Sequence, residues 1–351
     1  ERLTTPKGEW LLHKATVSGK SISELVPDMV TTALNKLPIA KPMRWGAERI
    51  QFIRPVHTLT LMYGEKVIQG SALGVDSSNL VQGHRFHHQG LVALSHANDY
   101  QTALAKAFVE VDYQARQDKI VTQIKQVSDE ISAVALIDED LLEEVTSLVE
   151  WPVTLVGTFD EDFLNVPAEP LIYSMKDHQK YFPVANKAGE LVNKFIFVTN
   201  IESKDPNQVI FGNEKVIRPR LADAEFFFKT DQKQTLESRL TTLETVLFQK
   251  QLGTLKDKSE RIAHLSHLIA EQIGENGVDA YRAGLLSKTD LMSDMVLEFP
   301  QVQGTMGKYY AINDGESAAI AQALEDQYRP RFAGDALPEA NIGCAVAISD
   351  K

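Results

Sequence analysis

The chain has 351 residues, 43% hydrophobic and 24% charged, a balance typical of soluble globular proteins rather than of disordered chains. Its net charge of −12 argues against binding nucleic acid by bulk electrostatics, so such a contact is expected only at local basic patches. No apolar run is long enough to cross a bilayer, and the single cysteine, Cys344, excludes an intramolecular disulfide and fits a reducing cytoplasm.

The first 95 residues mix helical and β patterns. The chain begins Glu1-Arg2 without Met or an apolar signal segment, which predicts a fragment with no signal peptide. Apolar residues from Leu25 to Leu37 recur at helical spacing, and the β-prone run from Thr58 to Tyr63 is followed by a predicted turn at Gly64-Glu65. Residues 96–149 lack Gly and Pro, which predicts a pair of amphipathic helices.

A second β-rich stretch opens at Trp151-Pro152. Residues 153–159 and 195–199 are apolar on both faces, as in strands of a covered sheet, and residues 186–190 predict a turn. After about residue 207 the pattern is almost wholly helical, with a domain boundary expected between about 232 and 252. The fold class predicted from these patterns is α+β followed by an all-helical domain.

No standard catalytic motif is present. The sequence contains no phosphate-binding glycine loop, no G-x-S-x-G elbow and no H-E-x-x-H helix. We therefore predict no catalytic residue and no metal ligand in this chain. Cys344 is predicted to be a buried small side chain.

Two clusters of cations and rings could serve binding or structure. If the segment is a strand, His84 and His88 share a face, which suits a metal, an RNA or partner contact, or structural hydrogen bonding. Residues 175–183 place Lys176, Lys180 and His178 beside two aromatic rings, a combination that can bind the phosphates and unpaired bases of RNA. The alternative is a polar strand edge with its rings in the core.

Residues 218–228 (RPRLADAEFFF) predict the start of a helix, since Pro219 suits a first turn and Arg220 can pair with Asp223. Its three phenylalanines are predicted to be core, and either arginine could bind phosphate.

A helical phosphohydrolase of the HD type is suggested by four residues further on. His264 and His267 share one helix face, and Asp290 and Asp294 share another. Thr289 stands where that motif needs a His before the Asp, which favours an HD-like shape without metal.

Ten strings occur in one order along the whole chain and carry a specific resemblance. They are residues 41–46 (KPMRWG), 52–57 (FIRPVH), 83–87 (GHRFH), 147–152 (SLVEWP), 177–184 (DHQKYFPV), 218–228, 284–292 (GLLSKTDLM), 298–300 (EFP), 303–307 (QGTMG) and 327–334 (QYRPRFAG). Together they resemble the β subunit of the bacterial heterotetrameric glycyl-tRNA synthetase.

The resemblance implies an architecture and partners. Residues 1–235 would be a B3/B4-like α+β region with its helical segment at about 96–149, and residues 236–351 an HD-like helical domain. A C-terminal anticodon-binding domain would lie beyond the fragment. The partners would be the α subunit, in an α2β2 assembly, and tRNA(Gly), without a membrane. No cofactor is expected here, because ATP and Mg belong to the α-subunit active site.

The function implied is a cytoplasmic tRNA-binding subunit of glycine–tRNA ligase that positions tRNA for the α subunit. The candidate RNA-facing cations are Arg44, Arg85, Lys176, Lys180, Arg218, Arg220, Arg329 and Arg331. Two alternatives stay open: a hydrolase, of editing or HD type, and an assembly scaffold for the α subunit without RNA contact.

Overall fold

The computed structural model describes residues 1–47 and 49–351, which form two compact units, Glu1–Arg116 and Gln117–Lys351. Both contain helices and strands, which confirms a mixed α+β class. Among the described residues, no helix combines the length and the apolar character that a bilayer span requires.

The first unit consists mainly of short antiparallel hairpins with one longer helix. Its elements are β1 (Arg2–Thr5), β2 (Gly8–Leu11), α1 (Ile22–Lys36), β3 (Met43–Arg44), β4 (Gln51–Phe52), β5 (Leu59–Thr60), β6 (Met62–Tyr63), β7 (Lys66–Val67), β8 (Ser71–Ala72), β9 (Val75–Ser78), β10 (Leu80–Gln82), β11 (Leu91–Ala93) and α2 (Tyr100–Lys106). Among the strands that the structure describes in this unit, only β5 and β9 pair in parallel. Val81, Leu94 and Leu104 form its small core.

Local sequence signals place two of these elements correctly. The predicted helix from Leu25 is confirmed as α1, whose first turn is closed by the Ser21 backbone N–H donating to Glu24 at 2.9 Å. The predicted turn is also confirmed, because Gly64 takes φ +60° between β6 and β7. A positive φ is the conformation that a tight hairpin needs and that glycine adopts without steric cost.

The second unit is built on a four-stranded antiparallel sheet in the order β12-β14-β15-β13. The elements up to its longest helix are α3 (Tyr113–Glu130, which begins in the first unit), β12 (Val134–Ala135), α4 (Glu139–Leu148), β13 (Val153–Thr158), α5 (Ala168–Tyr173), β14 (Phe182–Ala185), β15 (Leu191–Thr199) and α6 (Pro206–Asp231). The predicted strands and the turn at 186–190 are confirmed. Residues 96–149 form three α-helices rather than a pair.

Both faces of the sheet are covered, as the sequence predicted. Ile196 joins α3 and α4 in one core cluster, while its neighbours Phe195 and Phe197 point into another. Gly157 lies directly opposite Phe195, and a Cβ there would come within 2.3 Å of the phenyl ring. Glycine at this position is therefore required by close packing.

The predicted helix start at Arg218 is wrong. Helix α6 begins at Pro206 and runs without interruption through Pro219. A proline inside a helix removes one backbone hydrogen bond, but burial of Ile217, Leu221 and Ala224 on the same helix offsets that loss. The core prediction also fails for Phe226, which is 64% exposed, whereas Phe227 and Phe228 pack against the core.

The remainder of the second unit is mostly helical. A 3₁₀ segment (Glu237–Thr245) and the hairpin β16 (Leu247–Gln249) and β17 (Gly253–Thr254) lead into six helices. These are α7 (Leu255–Gln272), α8 (Gly277–Leu286), α9 (Asp294–Glu298), α10 (Thr305–Asn313), α11 (Ala318–Asp326) and α12 (Asn341–Asp350).

The largest core cluster contains residues from both sides of position 235, such as Leu171 of α5 and Tyr310 of α10. Packing separates residues 1–116 from residues 117–351. As a division into domains, the boundary at 235 stays a prediction, as do the B3/B4-like and HD-like assignments.

Candidate functional site

Positive charge is distributed unevenly between the two units. Residues 1–116 contain 13 Lys and Arg against 10 Asp and Glu, a net +3, whereas residues 117–351 contain 23 against 38, a net −15. Arg44, on β3, and Arg85, in a turn after His84, lie exposed in the basic unit. The other six predicted cations lie in the acidic unit, where four of them, Lys176, Lys180, Arg218 and Arg329, pair with carboxylates.

Two of those cations are tied to helix α4. A π-helical turn, Ser174–His178, places Lys176 Nζ 2.7 Å from Asp138, and Lys180 Nζ lies 2.9 Å from Glu144. The hydrogen bond from Lys176 is the main reason that the pKa of Asp138 falls below its ordinary value. Both lysines thus connect the turn to α4, and RNA would have to displace a carboxylate from each.

Arg329 is surrounded by acids. Its guanidinium lies 3.2 Å from Asp326, 3.1 Å from Glu339 and 3.8 Å from Glu325, and its side chain is 21% exposed. Asp326, fully buried, also accepts the backbone N–H of Glu339 at 2.9 Å, just before α12. This cluster fixes the loop between α11 and α12, so the contacts of Arg329 stabilise the fold.

Arg329→Ala is expected to lower the free energy of unfolding by about 1–2 kcal/mol, because it leaves a buried carboxylate without its cation. Arg331→Ala is the matched control, since the exposed Arg331 forms no side-chain ion pair within the described residues. That change is expected to stay within about 0.5 kcal/mol. Urea titration of both variants measures the difference, and equal stabilities would contradict the structural role of Arg329.

One exposed face of α6 alternates cations with aromatic rings. Phe211, Lys215, Arg218, Phe226 and Lys229 follow one another at 4, 3, 8 and 3 residues, so they form a single stripe, here called the α6 strip. Each of the two rings is more than 60% exposed.

The cations of the α6 strip are accessible. Arg218 pairs with Asp160 at 2.8 Å, but both side chains are more than half exposed. Lys229 pairs with Glu225 one turn before it, and Lys215 has no ion pair among residues 1–47 and 49–351. Exposed pairs contribute about 0–1 kcal/mol each, so RNA phosphates can replace those carboxylates at little cost.

Such a stripe suits nucleic acid, because its cations can meet backbone phosphates while its rings stack on unpaired bases. Sequence reasoning found Arg218 but missed Phe211 and Lys215, since it started the helix at Arg218. It also missed Lys229, and it missed Phe226 because it assigned that ring to the core. Their helical spacing was the signal that could have found them. Arg220 is exposed about 200° around the helix from Arg218, and the structure contains no Arg220–Asp223 ion pair.

The histidine cluster is a turn and not a strand. His84 is buried, and its Nδ1 accepts the backbone N–H groups of Phe86 and His87, each at 3.3 Å. The His87 ring lies 4.6 Å from that of His84 and 5.0 Å from that of Phe108. These contacts assign the cluster a structural role in the turn.

The HD-type residues do not converge. His264 packs edge-on against Tyr281, His267 lies 3.5 Å from Glu271, and Asp294 is exposed at the start of α9. Asp290 is fully buried and accepts the Gly304 backbone N–H at 2.5 Å. Within the described residues, no three His, Cys, Asp or Glu side chains are arranged to hold a metal ion.

Comparison with known proteins supplies the family. The sequence profile described as "Glycyl-tRNA synthetase beta subunit" matches residues 1–351. The chain is 82% identical over its full length to the glycine–tRNA ligase beta subunit of Colwellia psychrerythraea, 61% to that of Alteromonas mediterranea and 60% to that of Pseudoalteromonas atlantica. It covers 51% of each of these relatives, about half their length. The chain therefore belongs to the glycyl-tRNA synthetase beta subunit family.

Proposed function

We propose that this chain is the part of a glycine–tRNA ligase β subunit that binds tRNA(Gly) and orients it for glycylation at a partner α subunit. The observation that carries the proposal is the α6 strip, a face of exposed cations and rings on a helix anchored in the core. Remote binding contacts can lower the barrier of a reaction by fixing the geometry of its reactants.

In this proposal the α subunits of an α2β2 assembly bind ATP and Mg and form the glycyl-adenylate. The present chain then needs no active site. Residues 1–235 supply the B3/B4-like region and residues 236–351 the HD-like helical domain, both without chemistry of their own. The net +3 of residues 1–116 adds a region in which Arg44 and Arg85 reach RNA without competing against an excess of acids.

The test is a triple substitution, Lys215→Ala, Arg218→Ala and Lys229→Ala, in the assembled enzyme. We expect the KM for tRNA to rise about tenfold or more, and the slope of log affinity against log salt to become shallower by about 2–3, because up to three phosphate contacts are lost. Glycine-dependent exchange between ATP and pyrophosphate, which needs no tRNA, should be unchanged.

Arg220→Ala is the comparison on the opposite face of α6. If it weakens tRNA binding as much as the triple substitution, the wrong face has been assigned. If the triple substitution leaves both the KM and the salt slope unaltered, α6 does not contact tRNA and an assembly scaffold becomes the better description.

A further inference from the structure

A cleft of about 610 Å³ lies beside the first half of the α6 strip. One wall is α6 itself, and the other is the end of β13 with the turn after it. The residues that matter for recognition are Phe211, Glu214, Lys215 and Arg218 on α6, and Asp160 and Glu161 in the turn. The volume falls within the range of about 300–1,000 Å³ that is typical of small-ligand sites.

The α6 wall offers a flat ring beside two cations. Phe211 is 61% exposed, and Lys215 and Arg218 follow it by one and two helical turns. A base stacked on this ring would place its own phosphate near the lysine and arginine, because a nucleotide spans about the distance between neighbouring turns.

The opposite wall offers hydrogen-bond acceptors. Glu214, the carboxylate of the α6 wall, is already occupied, since its Oε1 accepts both the backbone N–H of Thr158 at 2.9 Å and the hydroxyl of the same residue at 2.8 Å. Asp160 is engaged by Arg218. Glu161 is exposed, and among residues 1–47 and 49–351 it has no ion pair.

The charged side chains that line the cleft favour a nucleotide over a free phosphate as its ligand. Three carboxylates and two cations line the cleft, so it does not attract an isolated anion. A nucleotide satisfies both walls at once, since a carboxylate accepts the exocyclic amino group of cytosine, and adenine and guanine have similar donors. Uracil has no amino group.

We propose that this cleft holds one unpaired nucleotide of the bound RNA, with its base stacked on Phe211 and its exocyclic amino group donating to Glu161. Lys215 and Arg218 hold the adjoining phosphate. The inference rests on the proposed RNA contact of α6, and narrows it to a single-nucleotide site that prefers adenine, cytosine or guanine over uracil.

The experiment measures binding of adenine, cytosine and uracil pentaribonucleotides, and of tRNA, to the assembled enzyme at fixed salt. We expect the adenine and cytosine oligonucleotides to bind at least fivefold more tightly than the uracil one. Phe211→Ala should weaken binding of the adenine and cytosine oligonucleotides about tenfold, while Phe211→Trp, which keeps a stacking surface, retains it. Phe332→Ala, which removes a ring that is 67% exposed outside the α6 strip, is the matched control and should change affinity less than twofold.

Glu161→Ala tests base recognition separately. It should reduce the preference for cytosine over uracil to less than twofold without weakening binding of the uracil oligonucleotide, because only the contact to the amino group is lost. Equal binding of all three oligonucleotides by the unmodified enzyme would overturn the base preference.

The failures of the two proposals can be told apart. If the triple substitution on the α6 strip raises the KM for tRNA but Phe211→Ala behaves like Phe332→Ala, the cleft proposal is overturned and the tRNA contact stands. If neither the triple substitution nor Phe211→Ala has an effect, both the tRNA contact of α6 and the nucleotide site in the cleft are contradicted. If Phe211→Ala instead weakens assembly with the α subunit and leaves RNA affinity intact, the cleft binds protein and the nucleotide proposal is overturned.

Discussion

Replacing Asp231 by Ala is expected to lower the free energy of unfolding by about 3–5 kcal/mol, since it leaves a buried charge unpaired. Asp231 is 2% exposed at the end of α6, and its Oδ1 lies 2.8 Å from the equally buried guanidinium of Arg239. Its other bonds come from the Tyr310 hydroxyl at 2.8 Å and the backbone N–H groups of Asp294 and Met295. The substitution would remove a partner from all four groups.

Urea unfolding measures this effect as a lower midpoint at an unchanged slope. Asp223→Ala, on an exposed face of the same helix, is the control and should stay within about 0.5 kcal/mol. If Asp231→Ala lowered the free energy of unfolding by less than about 1 kcal/mol, this network would not stabilise the fold. The network links α6, α9 and α10, so its loss should also disturb the packing beneath the α6 strip.

Asp290→Asn is expected to remove a pH dependence of stability between about pH 4 and pH 6. Burial raises the pKa of the Asp290 carboxyl to about 6, although hydrogen bonds from Gly304 and Gly307 and the charge of Lys288 act in the opposite direction. The folded state therefore holds this proton more tightly than the unfolded state, whose pKa is near 3.8. Stability falls as pH rises through this window.

The shift of about two pKa units corresponds to about 3 kcal/mol lost by pH 7. Asparagine cannot ionise, and its carbonyl oxygen can still accept the Gly304 N–H. The variant should therefore match the parent protein within about 1 kcal/mol at pH 4.5 and equal or exceed its stability at pH 7.5. Urea midpoints measured from pH 4 to pH 8 test this, with Asp223→Asn as a control for losing one exposed charge. Parallel curves for Asp290→Asn and the parent would contradict it.

Elements whose signals are local could be predicted from the amino-acid sequence, and so could the family. Helix α1, the Gly64 turn, strands β13 and β15 and the turn at 186–190 follow from apolar spacing and turn chemistry, because each depends on residues adjacent in the chain. The ordered strings that resemble the glycyl-tRNA synthetase β subunit extend along the whole chain, and the family comparison confirms them.

Which charges are available and which rings are exposed depends on contacts between residues far apart in the chain. Lys176 meets Asp138 from 38 residues away, and Arg218 meets Asp160 from 58 residues away, so no local pattern could reveal either pair. Burial on one side carries α6 through Pro219, and that same helix places Phe211 and Phe226 in solvent. A local conformational preference, such as that against proline inside a helix, changes the free energy of folding by about 1–3 kcal/mol. Packing against distant residues outweighs that preference where a helix lies on a core.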